Sequence, residues 1–586
     1  MRNTKFFIEN YPRPQFVNEK WQLLNGTWDF SFDDKQEGEK KKWFDKFPSQ
    51  TNILVPYSYQ TKKSGIGDTS RHDYIWYHKK VAVNKELLGD RLILNFEGVD
   101  YVCKVWVNGK FVGQHEGGYT RFSFDITDFV KNNSFDLAVE AIDHKDATQP
   151  RGKQTWLEQP FGCWYHETNG IWKSVWLEKV SKIHLDSVKI TPIFDSYKTE
   201  FEIKLNEFEE GYSLDIEMTY LDKLINSVSI QLQRKITNIS LDMNNDFDGF
   251  RIHYWSVDHP NLYDVKYTLK KNGKVVQTIG SYFGFRQLRA FNNCLLLNNN
   301  PAYLKMVLYQ GYTKDGGLTS TPEEMLKDLE MIKALGLNGV RMHQKLEDEL
   351  FYYYADIMGL FVWCEMPSAY EFKDDTIENL VYQWNQAVRQ YYNHPSIVAW
   401  VPINESWGVP RILLDDTNKH LAETLYHLTK SYDNYRPVIS NDGWEHTTSD
   451  IVTFHNYSQS DEELYHFYGD LQKVLEGKYF VDYSQTRLPF AKGYKYNGQP
   501  VIISEFAGIG YQNGNNQGWG YGEKVSSNQK YVERLAGLVK SIRKIDGICG
   551  FCITQLTDVE IEINGLADEQ RKLKASLEDL KRAINS

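Results

Sequence analysis

The stretch Asn393–Gly408, "NHPSIVAWVPINESWG", decides how this chain is read. Its apolar run from Ile397 has the length and β-branched content of a fully buried strand. It stops abruptly at Asn404-Glu405-Ser406-Trp407. Burying a carboxylate is costly unless the charge is paired or used, so the end of this strand is expected to face a cleft. Runs of the same kind recur on both sides: "AYLKMVLYQ", "NGVRMH", "LFVWCEM", "PVISNDGW", "IVTFHNY", "PVIISEF" and "GICGFCITQ". Helical stretches separate most of them. "STPEEMLKDLEMIKALG" is the clearest, with a capping box at Thr321 and Glu324, Pro322 in the first turn and Gly336 at the end. Its apolar residues Met325, Leu329, Ile332 and Leu335 form one stripe. Strands alternating with helices over residues 290–586 predict a (β/α)8 TIM barrel, closed by a last helix in "EQRKLKASLEDLKRAI".

Upstream the rhythm is different. Residues 1–180 alternate outward and inward positions, as in "GVDYVCKVWVNGKFVGQ", where Asn108-Gly109 suits a tight hairpin turn. "RFSFDITDFV" and "GIWKSVWLEKV" continue the pattern, which predicts an N-terminal jelly-roll β-sandwich. A long loop, "DATQPRGKQTWLEQPFGCWYHETNG", interrupts it. Its aromatic content favours a functional segment over a disordered one. Residues 181–289 carry further short strands, with a second Asn-Gly turn at Asn272-Gly273, and fit an immunoglobulin-like β-sandwich acting as a spacer.

Composition narrows the partners. The chain has 586 residues, enough for several cores, and a formal net charge of −11 without any basic stripe. Nucleic acid and an anionic membrane are therefore not expected partners. Aromatic residues make up 15%, which suits β-rich cores and also sugar-stacking surfaces. Cys549 and Cys552 form a C-x-x-C, but on a strand residues three apart point to opposite faces, so no metal or redox pair is expected. The opening "MRNTKFFIENYPRPQF" has no apolar signal core, and no apolar run is long enough to span a bilayer. The expectation is a soluble, cytoplasmic protein with reduced thiols, in which the Asn132-Asn133-Ser134 sequon carries no meaning. A homodimer is expected only because such assemblies are the commonest.

Barrel active sites lie at the C-terminal ends of the strands. The ends here carry Arg341 and His343, Glu365, Asn404 and Glu405, Asp442 and Trp444, His455 and Tyr457, Glu505, and Gln555. Glu405 and Glu505 come from the fourth and seventh candidate strands, on opposite sides of the ring. Two carboxylates flanking one bond are what glycoside cleavage needs, one protonated to assist the leaving oxygen and one ionised to attack or to activate water. The residues alone choose the pair and do not separate the roles.

The chain resembles glycoside hydrolase family 2, the β-galactosidases, β-glucuronidases and β-mannosidases, along essentially its whole length. "NGVRMHQKLEDELFYYYADIMGLFVWCEMPS" resembles the family's segment through the second and third strands. "NHPSIVAWVPINESWG" resembles the stretch with its acid/base, "PVIISEFAG" that with its nucleophile, and "GIWKSVWLE" the end of its jelly roll. The resemblance implies a retaining, exo-acting β-glycosidase needing no cofactor, with Glu405 as acid/base and Glu505 as nucleophile; no metal is expected, because the spacing of possible ligands is unremarkable. Asn404, His343, Tyr457, Arg341, Trp444, His455 and Gln555 are the accompanying substrate-site candidates, and Tyr457 is expected to hydrogen-bond the nucleophile. Glu365 is left outside the catalytic pair. Two departures concern the sugar: the eighth strand ends in Thr554-Gln555 where better-known members have tryptophan, and Asn564 lacks the lysine two residues on that grips a uronate. The chain also ends at the barrel, without the further sandwiches of the largest β-galactosidases. A β-galactosidase-like substrate is therefore expected, with β-glucuronide, β-mannoside or arabinoside as alternatives and a non-catalytic carbohydrate-binding protein as the rival of another class.

Overall fold

The computed structural model describes residues 2–243, 252–512 and 518–586. The N-terminal region is a two-sheet sandwich. Six antiparallel strands run in the order Thr51–Val55, Gly26–Phe32, Tyr74–Ala82, Ser134–Ile142, Val102–Val107 and Lys110–Glu116. They face a four-stranded sheet in the order Trp21–Leu23, Val175–Val180, Arg91–Phe96 and Phe122–Asp125. Inward residues such as Trp28, Phe30, Tyr77, Leu94, Val105 and Leu177 fill one core between the sheets. Asn108 and Gly109 both have positive φ, 50° and 72°, the backbone a two-residue turn requires. In "RFSFDITDFV" the strand ends at Asp125 and a 3-10 turn follows, because the Asp125 carboxylate accepts from the Thr127 amide and pulls the chain out of extension.

The second sandwich packs a three-stranded sheet, Leu185–Ile193, Lys198–Leu205 and Ile236–Asp242, on a four-stranded one, Lys223–Gln231, Tyr212–Tyr220, Tyr263–Lys271 and Lys274–Phe283. Asn272 and Gly273 again supply the positive φ angles of the hairpin.

The third region is the barrel. Seven parallel strands pair in the order Ile397–Val401, Phe361–Glu365, Gly339–Met342, Leu304–Tyr309, Ile548–Thr554, Val501–Ala507 and Val452–Asn456. The expected fifth strand is an extended segment, not a full ladder partner. On one side it pairs with the preceding strand and its end: Ile439 N donates to Trp400 O (2.9 Å), and Glu405 N to Asp442 O (2.9 Å). On the other side, side chains take its amides. Val438 N donates to Asp450 Oδ2, Ser440 N to Ser449 Oγ and Gly443 N to Thr453 Oγ1. Ladder geometry is lost where these short polar side chains compete for the backbone.

The helix Pro322–Ala334 has both bonds of its capping box, Glu324 N to Thr321 Oγ1 at 3.2 Å and Thr321 N to Glu324 Oε2 at 2.9 Å. The last helix is shorter than expected, Leu577–Ile584. Asp568 accepts from the Gln570 and Lys572 amides in a turn, and Ser576 caps the helix, so Glu569–Ala575 stays outside it. Cys549 and Cys552 are both free and buried in the strand Ile548–Thr554. No helix among the described residues is long and apolar enough to cross a membrane.

The long jelly-roll loop leaves its own domain and lies across the barrel. Arg151 N and Gly152 N both donate to Ser368 O (2.9 and 3.0 Å), and Tyr165 Oη donates to Glu562 Oε2 at 2.5 Å. Its base is held by Arg151, whose guanidinium is 2% exposed and donates to both oxygens of Asp143.

Candidate active site

Arg341 is the hub beneath the cleft. It is fully buried, and its donors go to Glu365 Oε2 (2.7 Å), Glu505 Oε1 (2.6 Å), Asn404 Oδ1 (2.6 Å) and Asp442 Oδ2 (2.9 Å). Three carboxylates around one guanidinium raise its pKa well above the ordinary value, against a burial cost that acts the other way. The planar fork of arginine suits such a junction, because it can address several acceptors in one plane. Arg341 therefore lies fully buried beneath the site, with its donors on protein acceptors.

Glu505, at the strand Val501–Ala507, is clamped on both oxygens. Arg341 holds Oε1, and Tyr457 Oη donates a short hydrogen bond to Oε2. Tyr457 is itself fixed by a flat stack on Tyr521 and by a 3.2 Å contact with Thr554 Oγ1. Burial and the neighbouring Glu505 charge push the Tyr457 hydroxyl well above its ordinary pKa, so it stays a donor.

Glu405 is held differently. Its φ is +52°, and that of Ser406 is +62°, the left-handed region that non-glycine residues avoid. The turn is kept by Asn441 Oδ1, which accepts from Ser406 N (2.8 Å), and by Glu445, which accepts from Ser406 Oγ (2.8 Å). Such strain survives only where the surroundings over-determine it. It turns the Glu405 side chain back over the cleft, 22% exposed against 6% for Glu505.

His455 links the two halves. Its Nδ1 lies 2.8 Å from Glu405 Oε1 and its Nε2 2.9 Å from Asp442 Oδ2. Burial disfavours the imidazolium, but the charges of Glu505 and Asp442 outweigh it and lift the pKa to about 10. Burial likewise pushes Glu405 up, and is outweighed by the His455 hydrogen bond and charge, then by Lys153 and Arg341, leaving the carboxyl below its usual range. One proton is shared between the two groups. Glu405, His455 and Glu505 place ligand atoms within 4.8 Å of one another. An imidazolium has no lone pair for a metal, so a cation bound here would first have to displace the His455 proton.

The remaining candidates divide. Asn404 fixes its carbonyl on Arg341 and leaves Nδ2 buried without a protein partner. His343 is buried with Nδ1 3.0 Å from Glu365 Oε1. Burial first, then Arg341 and Lys153, depress its pKa well below the usual value, so the ring is neutral. Glu365 is fully buried between Arg341 and the Gln344 amide, a supporting role. Trp444 packs edge-on against His455. Gln555, joined to Thr554 by a cis peptide, donates to Asn564 Oδ1 (2.7 Å) and leaves Oε1 buried without a partner.

Lys153, Asn441, Trp407 and Glu562 are not among the site residues named from the sequence, although Trp407 stands at the strand end quoted there and the loop around Arg151 to Trp164 is expected, on composition, at the barrel mouth. Lys153 comes from the jelly-roll loop, beside the Cys163 thiol, and feels the charges of Glu562 and Glu505. Only the polar pair Asn441-Asp442 at the end of "PVIS" and the cationic "RGKQ" in an aromatic loop signalled any of this.

Three family models cover the chain: "Glycosyl hydrolases family 2, sugar binding domain" over residues 21–181, "Glycosyl hydrolases family 2" over 183–286, and "Glycosyl hydrolases family 2, TIM barrel domain" over 288–586. The chain belongs to glycosyl hydrolase family 2. A Formosa agariphila protein carrying a provisional β-glucuronidase name is 30% identical over 393 residues, covering 63% of this chain and 44% of that protein. A β-galactosidase of Thermoanaerobacter pseudethanolicus is 27% identical over 423 residues, covering 69% and 53%. The chain thus spans about half the length of these curated relatives. A GH2 β-galacturonidase structure from Eisenbergiella tayi, bound to galacturonate, superposes over 98% of this chain and 99% of that one, with a TM-score of 0.75 at 20% identity, a likeness of fold.

Proposed function

We propose that the protein is a retaining, exo-acting β-glycosidase that removes terminal β-linked sugars by double displacement and is β-galactosidase-like in substrate. One observation carries this reading: two glutamates with oxygens within 4.8 Å of each other and opposite support. That approach of one oxygen from each supports the roughly 5–5.5 Å separation between the carboxyl groups of retaining enzymes. Glu505, clamped by Arg341 and Tyr457, attacks the anomeric carbon. His455 passes its proton to Glu405, which hands it on to the leaving oxygen and is left as a carboxylate beside a neutral imidazole. When Glu505 becomes an ester its charge is gone, and Glu405 as carboxylate takes a proton from the attacking water. The open Nδ2 of Asn404 is suited to the sugar 2-hydroxyl, a bond that strengthens as the oxocarbenium character grows.

A second sugar reading has its own support. Lys153 brings a cation to the cleft from another domain, and no carboxylate of the described residues lies within 4.0 Å of it. Lys153 is half-buried and has no ion-pair partner among the described residues, and the carboxylate of a β-uronide would supply one. The Formosa and Eisenbergiella proteins carry uronidase names.

A panel of p-nitrophenyl β-glycosides tests both. Release from the β-galactoside and not from the glucuronide or galacturonide supports the first reading. Release from a uronide that falls at least about 100-fold in Lys153→Met, the scale of a lost charged contact, supports the second. No chromophore from any sugar contradicts both.

A further inference from the structure

Beside Glu405 stands a group of aromatic rings that the chemistry above does not use. Trp407 Nε1 donates to Glu405 Oε2 at 3.3 Å, so its indole flanks that carboxyl. Trp164, from the jelly-roll loop, meets Trp407 edge-to-face with centroids 5.4 Å apart, and Tyr370 meets Trp407 at 5.3 Å. Trp156 stacks on Tyr370 at 4.2 Å, and Phe161 on Trp164 at 4.8 Å. All five are only half-buried. Rings from three separate chain segments thus meet at the acid, with apolar faces still open.

Resting on the glycosidase reading, we infer that these five residues form the leaving-group subsite and take a planar aromatic aglycone. Two of the group's polar atoms are already turned on the protein. The Tyr370 hydroxyl bonds Gly152 O and Gln344 Oε1, and the Trp407 N–H is on Glu405, while the Trp164 N–H is buried without a hydrogen-bond partner. A second sugar would bring several hydroxyls to a surface with few partners to offer them, and unpaired buried hydroxyls are costly. A phenyl ring needs none and gains offset or edge contacts with the indoles.

Acceptor partitioning tests this without interference from leaving-group acidity. The enzyme is run on an activated aryl glycoside of whichever sugar it turns over, with benzyl alcohol, cyclohexylmethanol or glucose as acceptor at equal concentration. The ratio of transfer product to free sugar is measured. Benzyl alcohol is expected to give the highest ratio, about tenfold above glucose. Trp164→Ala and Trp156→Ala each bring its ratio down about tenfold, and Trp156→Phe restores most of it. Equal or better capture of glucose, or a benzyl alcohol ratio unmoved in folded Trp164→Ala and Trp156→Ala, overturns the subsite while leaving the glycosidase intact. Absence of turnover on every aryl glycoside removes the glycosidase reading, and this subsite with it.

Discussion

The two walls of the cleft present the same side chain in opposite settings. The Glu505 wall is rigid and charged: a regular strand, a guanidinium below and a phenol at the side hold both oxygens. The Glu405 wall is strained and more open: a left-handed backbone, an imidazole that shares a proton, and an indole at the rim. On the proposed reading, the carboxylate that attacks is fixed on both oxygens, whereas the one that passes a proton twice has a proton store beside it and a more open setting. Role follows from surroundings, since the two residues are chemically identical.

The sharpest way to break the comparison is to remove each glutamate. Glu505→Gln is expected to lower kcat at least about 10⁴-fold on every substrate, because no other group can form the intermediate. Glu405→Ala should lower kcat/KM by about 10²–10⁴-fold for alkyl glycosides yet spare dinitrophenyl ones, which leave without a proton. If both variants lose all substrates equally, the walls do not differ as claimed. Tyr457→Phe removes one charged hydrogen bond from Glu505 and should cost about 10–100-fold in kcat, with KM little changed. The smallest effect is expected from His455→Gln and appears in the pH profile. In the native pair the last proton leaves near pH 10, as the imidazole value indicates. With the imidazole gone, Glu405 holds that proton alone, and a carboxyl loses it at lower pH, so the alkaline limb of kcat/KM moves toward acid by at least about one unit. An unmoved limb would show that His455 holds no part of the acid's proton.

Much of this was legible because strands ending in polar residues survive as patterns in one dimension. Glu405, Glu505, Asn404 and Tyr457 each sit at a strand end, and the barrel brings such ends together. The helix Pro322–Ala334 could be read to its first residue, since its capping box is local chemistry. The irregular fifth strand was not legible, because Asp450, Ser449 and Thr453 take its amides only after the chain has turned back. Nor was the last helix's late start, set by the turn at Asp568. Arg341 was read near the cleft, but its depth was not legible, since it depends on the three carboxylates that surround it. Lys153 and Trp164 lie far along the chain from Glu405, on a loop whose course across the barrel no local pattern specifies.

The central claim is that Glu505 becomes covalently bonded to the sugar while Glu405 does not. A 2-deoxy-2-fluoro glycoside of the sugar identified by the panel slows breakdown of the intermediate, and peptide mass spectrometry then locates the label. The account predicts a single added glycosyl group on the peptide containing "PVIISEFAG", at Glu505. A label at Glu405, or no adduct together with release of the inverted anomer, would contradict it.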